Sequence, residues 1–382
     1  MDSDARGFRA RRASEVSRKV ALVASLARAQ GLTGVLLSTQ HNFSWLSAGG
    51  SNRVDGLREA GVATLLVTAD ERRYVLANTI ESRRIANEAL EDLDFAVLDF
   101  PWMDERRDST LVFRIAAEAA GSDALGSDIY STRARHLEAD LSRLRSILDD
   151  NELPRYRELC RDAGSVVAHI ARNATPGTSE VDVARAIGAA LFAADMRPAV
   201  LLVGGDDRIA SYRHPAPTVA AWKRRLLIAV CAERHGMIAA LTRIVTTRRD
   251  DELLRRTRCA ADVFAALLTA SVPGAIGADL FHAAAAAYAE AGFAGEERAH
   301  HQGGVIAYRA REWVAHPHST DTIGAPQAVA WNPTITGTKV EETCLLHEDG
   351  VEVLTTTPDW PSLEIEVRSQ RLQVPDMVVL DA

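Results

Sequence analysis

The sequence predicts an α/β (α+β) protein of two domains that divides near residue 150. Three observations carry this reading. Short apolar strands alternate with helical periodicity up to about residue 145. The polar stretch "SILDDNELPRYRELC", with Pro154 in it, then breaks the pattern. Beyond it, 155–245 and 250–345 form two loosely similar halves, each with helices leading into strands. A chain of 382 residues is long enough to bury two cores.

The elements follow in order. Val16, Val20, Leu22, Val23, Leu26 and Ala29 recur at helical spacing over 15–31, and Gly31 ends that helix. "TGVLLST" is a buried strand, and "VATLLVTAD" and "RRYVLAN" are two strands joined by a polar turn at Asp70-Glu71. "IESRRIANEAL" reads as helix, "FAVLDF" as strand, "TLVFRIAAEAAG" as helix and "DALGSD" as a short strand. After the break a helix runs from 155 to 173, and "TSEVD" opens another with Thr178 or Ser179 at its cap and acids in its first turn. "PAVLLVGG", "RRLLIAVCAE" and "GMIAALTRIV" are strands, the last two joined by a tight turn at His235-Gly236. Helices over 250–271 and in "PGAIGADLFHAAAAAYAEAG" precede a strand-and-turn region that runs to the end.

Hydrophobic residues make up 47% of the chain and charged ones 25%, ordinary for a soluble globular protein. A net charge of −8 makes nucleic acid an unexpected partner. The local run "RGFRARR" reads as a solvated arm. Cys160, Cys231, Cys259 and Cys344 lack metal-ligand or redox spacing, so they read as reduced thiols, mostly in the core. The N-terminus has no apolar signal segment, and no apolar run is long enough for a bilayer span. The expectation is a cytoplasmic protein with no membrane partner.

Several segments resemble, in order, those of the creatinase / aminopeptidase P / prolidase family. They are "GLTGVLLSTQHNFSWLSAG", "ELPRYRELCRDAGSVV", "PGTSEVDVARAI", "YRHPAPT", "GMIAALTR", "HHQGG" and "GTKVEET". The resemblance spans nearly the whole chain. It implies a small creatinase-like N-terminal α/β domain over 1–150, a C-terminal pita-bread domain over 151–382, and a homodimer. The family's metalloenzymes hold two divalent ions with two Asp, one His and two Glu. At those positions this chain carries Ala229, Ala240, His301, Asn332 and Glu341. A methyl group offers no lone pair, and a neutral amide balances no charge. No metal and no other cofactor is therefore expected.

The family also contains metal-free members such as creatinase. That likeness implies His214 as general acid/base, since imidazole exchanges protons near neutral pH. It also implies Glu341 as a substrate or water clamp. The creatinase partner of that Glu is replaced by Thr242, so creatine itself is not the expected substrate. His301 and Gln302 are expected to polarise the scissile carbonyl, with the choice between His300 and His301 left open. Arg213 and Arg311 are candidate carboxylate anchors, and Arg243 and Lys339 are further cations in the same segments. Tyr308 stands where many family members carry a second histidine. Asn332 and Glu342 complete the candidate substrate-binding set, although adjacent Glu341 and Glu342 should point to opposite faces.

The expected activity is metal-independent hydrolysis of a C–N bond in a small carboxylate-bearing amide, amidine or amino-acid derivative. The rivals are a metal-dependent Xaa-Pro peptidase, a lyase or isomerase built on the same proton-transfer groups, and a non-catalytic metabolite-binding protein.

Overall fold

The computed structural model describes the backbone of residues 2–380 and the side chains of 9–380. The side chains of Arg6 and Phe8 at the start of the basic run thus lie outside the described residues. Contacts divide the chain into two compact units, Met1–Arg145 with His235–Met237, and Ser146–Arg234 with Ile238–Ala382.

The first unit is built on a mixed six-stranded sheet. Its strands lie in the order Ala96–Phe100, Arg73–Asn78, Ala60–Thr68, Gly34–Thr39, Leu125–Ser127, Arg135–His136. Leu36, Leu66, Leu76, Phe100, Leu111 and Leu125 form one of its buried clusters. The first helix spans Asp2–Ala29, well before the expected start at 15. Arg and Ala in the polar lead-in favour helix without supplying an apolar stripe, so periodicity alone misses them. Arg9 pairs with Asp92 at 2.8 Å, and Arg12 donates to the carbonyls of Ser47 and Ala89. These contacts tie the basic run to its own unit, while Arg9 stays more than half exposed to solvent. The "HNFSW" segment forms helix Gln40–Leu46, capped by Thr39. Buried Asp128 accepts from the backbone of Ser38 and Thr39 and from the Asn42 side chain, so it holds that helix start in place.

The second unit begins with helix Glu152–Arg172, where Pro154 falls in the first turn and removes no internal hydrogen bond. Ser179 caps helix Glu180–Ala193 through the Asp182 amide. A four-stranded sheet follows in the order Val378–Val379, Met237–Thr246, Arg225–Arg234, Arg197–Gly205. His235 and Gly236, both at positive φ (53° and 83°), make the tight turn between its two long strands. A five-stranded sheet has the order Trp313–Val314, Gly303–Val305, Gln327–Trp331, Glu342–Leu346, Val351–Val353. Helices Asp251–Ala270 and Gly277–Glu290 share a core with it through Phe264, Leu267, Leu280, Tyr288, Val329 and Trp331. Largely antiparallel sheets packed with helices give the mixed α/β, pita-bread architecture the sequence predicts.

Two details position the site. Gly303 has φ +98°, and a Cβ there would fall on the Ala330 carbonyl and 2.9 Å from the Trp331 Cα. Only glycine lets the "HHQGG" segment lie this close to its neighbouring strand. The hairpin Thr334–Ile335/Thr338–Lys339 then turns back, so that Lys339 and Glu341 come together before strand Glu342–Leu346 begins.

Candidate active site

Glu341 is buried between two cations. Its Oε2 accepts from Lys339 Nζ at 2.7 Å and from the Thr242 hydroxyl at 2.7 Å, while Oε1 accepts from Arg311 Nη2 at 3.0 Å. Burial alone would raise this carboxyl. The Lys339 ammonium and the Arg311 guanidinium, helped by the hydrogen bonds from Lys339 and Thr242, outweigh burial and hold it at about 2. Glu341 therefore stays ionised at neutral pH and carries no proton. Both of its oxygens are already engaged, one by Lys339 and Thr242 and the other by Arg311.

Three histidines gather beside this triad. His214 Nε2 lies 3.0 Å from His300 Nε2, and His300 Nδ1 lies 2.9 Å from the Thr334 hydroxyl. The His301 ring centroid is 4.5 Å from that of His300 and 5.8 Å from that of His214. The Gly303 amide donates to His301 Nδ1 at 3.2 Å. In the neutral ring the proton then sits on Nε2, which makes that atom a donor. Burial, followed by the Arg311 and Lys339 charges, lowers His301 to about 4. Burial, then Lys339, lowers His300 to about 2 and moves His214 below its ordinary 6.5. The histidines are thus neutral at physiological pH.

The expected substrate residues divide. Arg311 Nε, Arg213 Nη1 and Asn332 Oδ1 are buried with no hydrogen-bond partner among the described residues. Each such atom costs about 1–3 kcal/mol unless water or a ligand meets it. Arg213 is otherwise tethered to Glu296 and to Thr336. Four of the expected substrate residues are engaged with protein partners. Arg243 and Glu342 pair with each other in the wall: Arg243 also donates to Thr355 O at 2.6 Å and lies over Trp360, and Glu342 accepts from the Thr355 hydroxyl. Both are wholly buried, because strand alternation sends Glu342 away from Glu341. Gln302 is bound at both ends, to the Tyr288 hydroxyl and the His300 carbonyl, and braces the loop. The Tyr308 hydroxyl donates to Glu152 at 2.7 Å, a buried bond that commits its proton. His300, left open as the alternative to His301, joins the cluster together with it, whereas Thr334 and Glu296 were not among the expected residues.

Two dications do not fit this donor set. Thr242 reaches Glu341, so period-two alternation places Ala240 on the same face of its strand. Ala229 belongs to a buried apolar cluster with Leu227, Ile244 and Met377. Two residues beyond Ala229 on the same strand, Cys231 feels Arg311, Glu341 and Lys339, and burial first of all lifts its thiol to about 11, so it supplies no thiolate. Glu341 is already matched by two cations, and His301 Nδ1 is taken by the Gly303 amide, which leaves the ring proton on Nε2.

A pH prediction follows for stability. The folded-state value of Glu341 lies below its ordinary 4.5, so the unfolded chain binds that proton more readily. Its contribution is complete above about pH 4.5 and is lost as pH falls toward 2. The lowered histidines act with the same sign, with losses that begin below 6.5. Urea midpoints measured from pH 7 to pH 3 should fall, and Glu341→Gln should flatten the portion below 4.5. An unchanged slope in that variant contradicts the assignment.

Comparison with known proteins adds the lineage. A family model for metallopeptidase family M24 matches residues 154–360. No curated protein sequence matches significantly. The dipeptidase PepE from Mycobacterium ulcerans superposes with a TM-score of 0.75 at 18% identity, covering 91% of this chain and 97% of that one. The prolidase from Pyrococcus horikoshii OT3 gives 0.73 at 18% identity, covering 89% and 98%. The N-terminal domain of the FACT complex subunit SPT16 from Cicer arietinum gives 0.67 at 11% identity, covering 91% and 96%. At such identities the likeness is one of fold, and that fold serves proteins of different kinds. With the family model spanning the unit that holds the histidines and Glu341, the chain belongs to metallopeptidase family M24.

Proposed function

We propose that this family member is a metal-independent hydrolase that breaks a C–N bond in a small carboxylate-bearing amide, amidine or amino-acid derivative. The observation that carries the reading is the Lys339–Glu341–Arg311 triad, and the sequence resemblance supports it by aligning Ala229, Ala240 and Asn332 with positions where the family's metalloenzymes carry anionic ligands. Fixed positive charge there can do for a developing oxyanion what a Lewis acid does elsewhere.

In the reaction, His214 takes a proton from water as the water oxygen bonds to the carbonyl or amidine carbon. The negative charge that develops is met by His301 Nε2–H and by the Lys339 and Arg311 cations. Collapse breaks the C–N bond, and His214 returns the proton to the leaving nitrogen, so amide and water become acid and amine. The unpartnered Arg311 Nε and Arg213 Nη1 suit a substrate carboxylate, and Asn332 Oδ1 suits a substrate N–H. The same reading keeps the homodimer and cytoplasmic location that the sequence implies. Among the described residues no helix is long and apolar enough to cross a membrane.

A panel of small carboxylate-bearing amides and amidines, assayed with and without 1,10-phenanthroline, tests this. The expected result is chelator-insensitive release of amine or ammonia. Arg311→Ala should raise KM for the carboxylate substrate about 10- to 100-fold, as for loss of a charged hydrogen bond. Turnover confined to Xaa-Pro dipeptides and abolished by the chelator would sink the proposal. One observation favours that second reading: the ring nitrogens of His214, His300 and His301 lie within 4.8 Å of one another, close enough to share an ion.

A further inference from the structure

We infer that His300 is a positioning residue that locks His214 into a single tautomer, with Nε2 protonated and Nδ1 bare. The inference deepens the proposed proton transfer and rests on that reading only for its catalytic meaning. It begins at Thr334. The Thr334 hydroxyl has one hydrogen, and it donates to the Asn332 carbonyl at 3.1 Å, an atom that can only accept. Thr334 Oγ1 must then accept from His300, 2.9 Å away, so His300 carries its proton on Nδ1. His300 Nε2 is left with a lone pair, and its partner 3.0 Å away is His214 Nε2, which must donate. His214 Nδ1 is consequently the basic atom.

The chain of donors runs one way: His214 to His300 to Thr334 to the Asn332 carbonyl. The surroundings keep it so. Asn332 is held by its amide, which donates to the Gln302 carbonyl at 2.9 Å, and the Thr334 amide donates to the Tyr288 hydroxyl at 2.8 Å. His300 is buried and His214 is exposed, so the fixed end of the relay lies inside and the free end faces outward. An imidazole held this way offers water its lone pair without first exchanging tautomers, which is the preorganisation a general base needs.

Two-bond ¹H–¹⁵N correlation spectra of the full-length chain, labelled with ¹⁵N-histidine and assigned through His214→Gln, read this directly. At pH 7.5 the expected spectrum gives His214 a pyridine-type Nδ1 and a pyrrole-type Nε2, with the reverse for His300. Thr334→Val, which keeps the shape and removes the acceptor, should convert both patterns into averaged shifts of exchanging tautomers. A His214 that carries its proton on Nδ1, or one already averaged in the unmodified chain, overturns the inference, as does a pattern unchanged in Thr334→Val. The readout needs no substrate. A correct tautomer pattern in a chain that hydrolyses nothing would count against the hydrolase reading alone.

Discussion

His214→Ala should lower kcat/KM by roughly 10²- to 10⁴-fold, the range for removal of a positioned general acid/base. Substrate binding should change little, because the cations sit on Arg311 and Lys339. His214→Gln is the sharper variant, since it can still donate to His300 but cannot take a proton. The pH profile carries a sign. Burial, then the Lys339 charge, lowers His214 below 6.5, so the base is free at pH 7 and activity should fall on the acid side only as pH drops below 6.5. Steady-state kinetics with direct binding measurements check this. If His214→Ala binds ligand and keeps full turnover, His214 is not the base.

Glu342→Ala should be the most damaging change to stability, at about 3–5 kcal/mol. It leaves the Arg243 guanidinium wholly buried with no counter-charge, its remaining bonds going to the Thr242 and Thr355 carbonyls and the Thr357 hydroxyl. Desolvation explains the asymmetry: breaking the pair costs more than the pair itself contributes. Replacing both partners with apolar residues, Arg243→Met with Glu342→Leu, should therefore cost less than Glu342→Ala alone. Denaturant midpoints of the three proteins decide this. A double variant less stable than Glu342→Ala contradicts the account.

Much of the architecture was legible because it rests on period. Strands such as "LLIAVCAE" and "GMIAALTR" announce themselves by apolar runs around a turn that needs positive φ, and Ser179 and Gly31 mark helix ends. Gly303 could be placed in the site segment but not explained, since the backbone it must clear belongs to a distant strand. Side-chain partnership was less legible. Polarity identified Arg243, Gln302, Tyr308 and Glu342 as candidates, but composition does not say whether a polar group meets solvent or another buried group. The alternation rule did carry the right warning for Glu342. The choice between His300 and His301 stayed open, because the residue pattern does not say which of two adjacent side chains turns inward. The segment between helix Glu296–Ala299 and strand Gly303–Val305 is not a regular strand, and there the rings of His300 and His301 tilt toward each other at 37°.

The fold likeness to a dipeptidase and a prolidase makes metal the natural question for this chain. The residues answer in chemical terms. Ala229 and Ala240 offer no lone pairs, Asn332 no charge, and Glu341 no free oxygen that a cation has not already reached. Lys339 and Arg311 would also repel a dication brought among the histidines. Elemental analysis by plasma mass spectrometry tests this most directly, on protein purified without chelator and then incubated with zinc, manganese, cobalt and iron before desalting. The account predicts well under one equivalent of any of these metals per chain. Two tightly bound ions per chain, or one that disappears in His300→Ala, would contradict it.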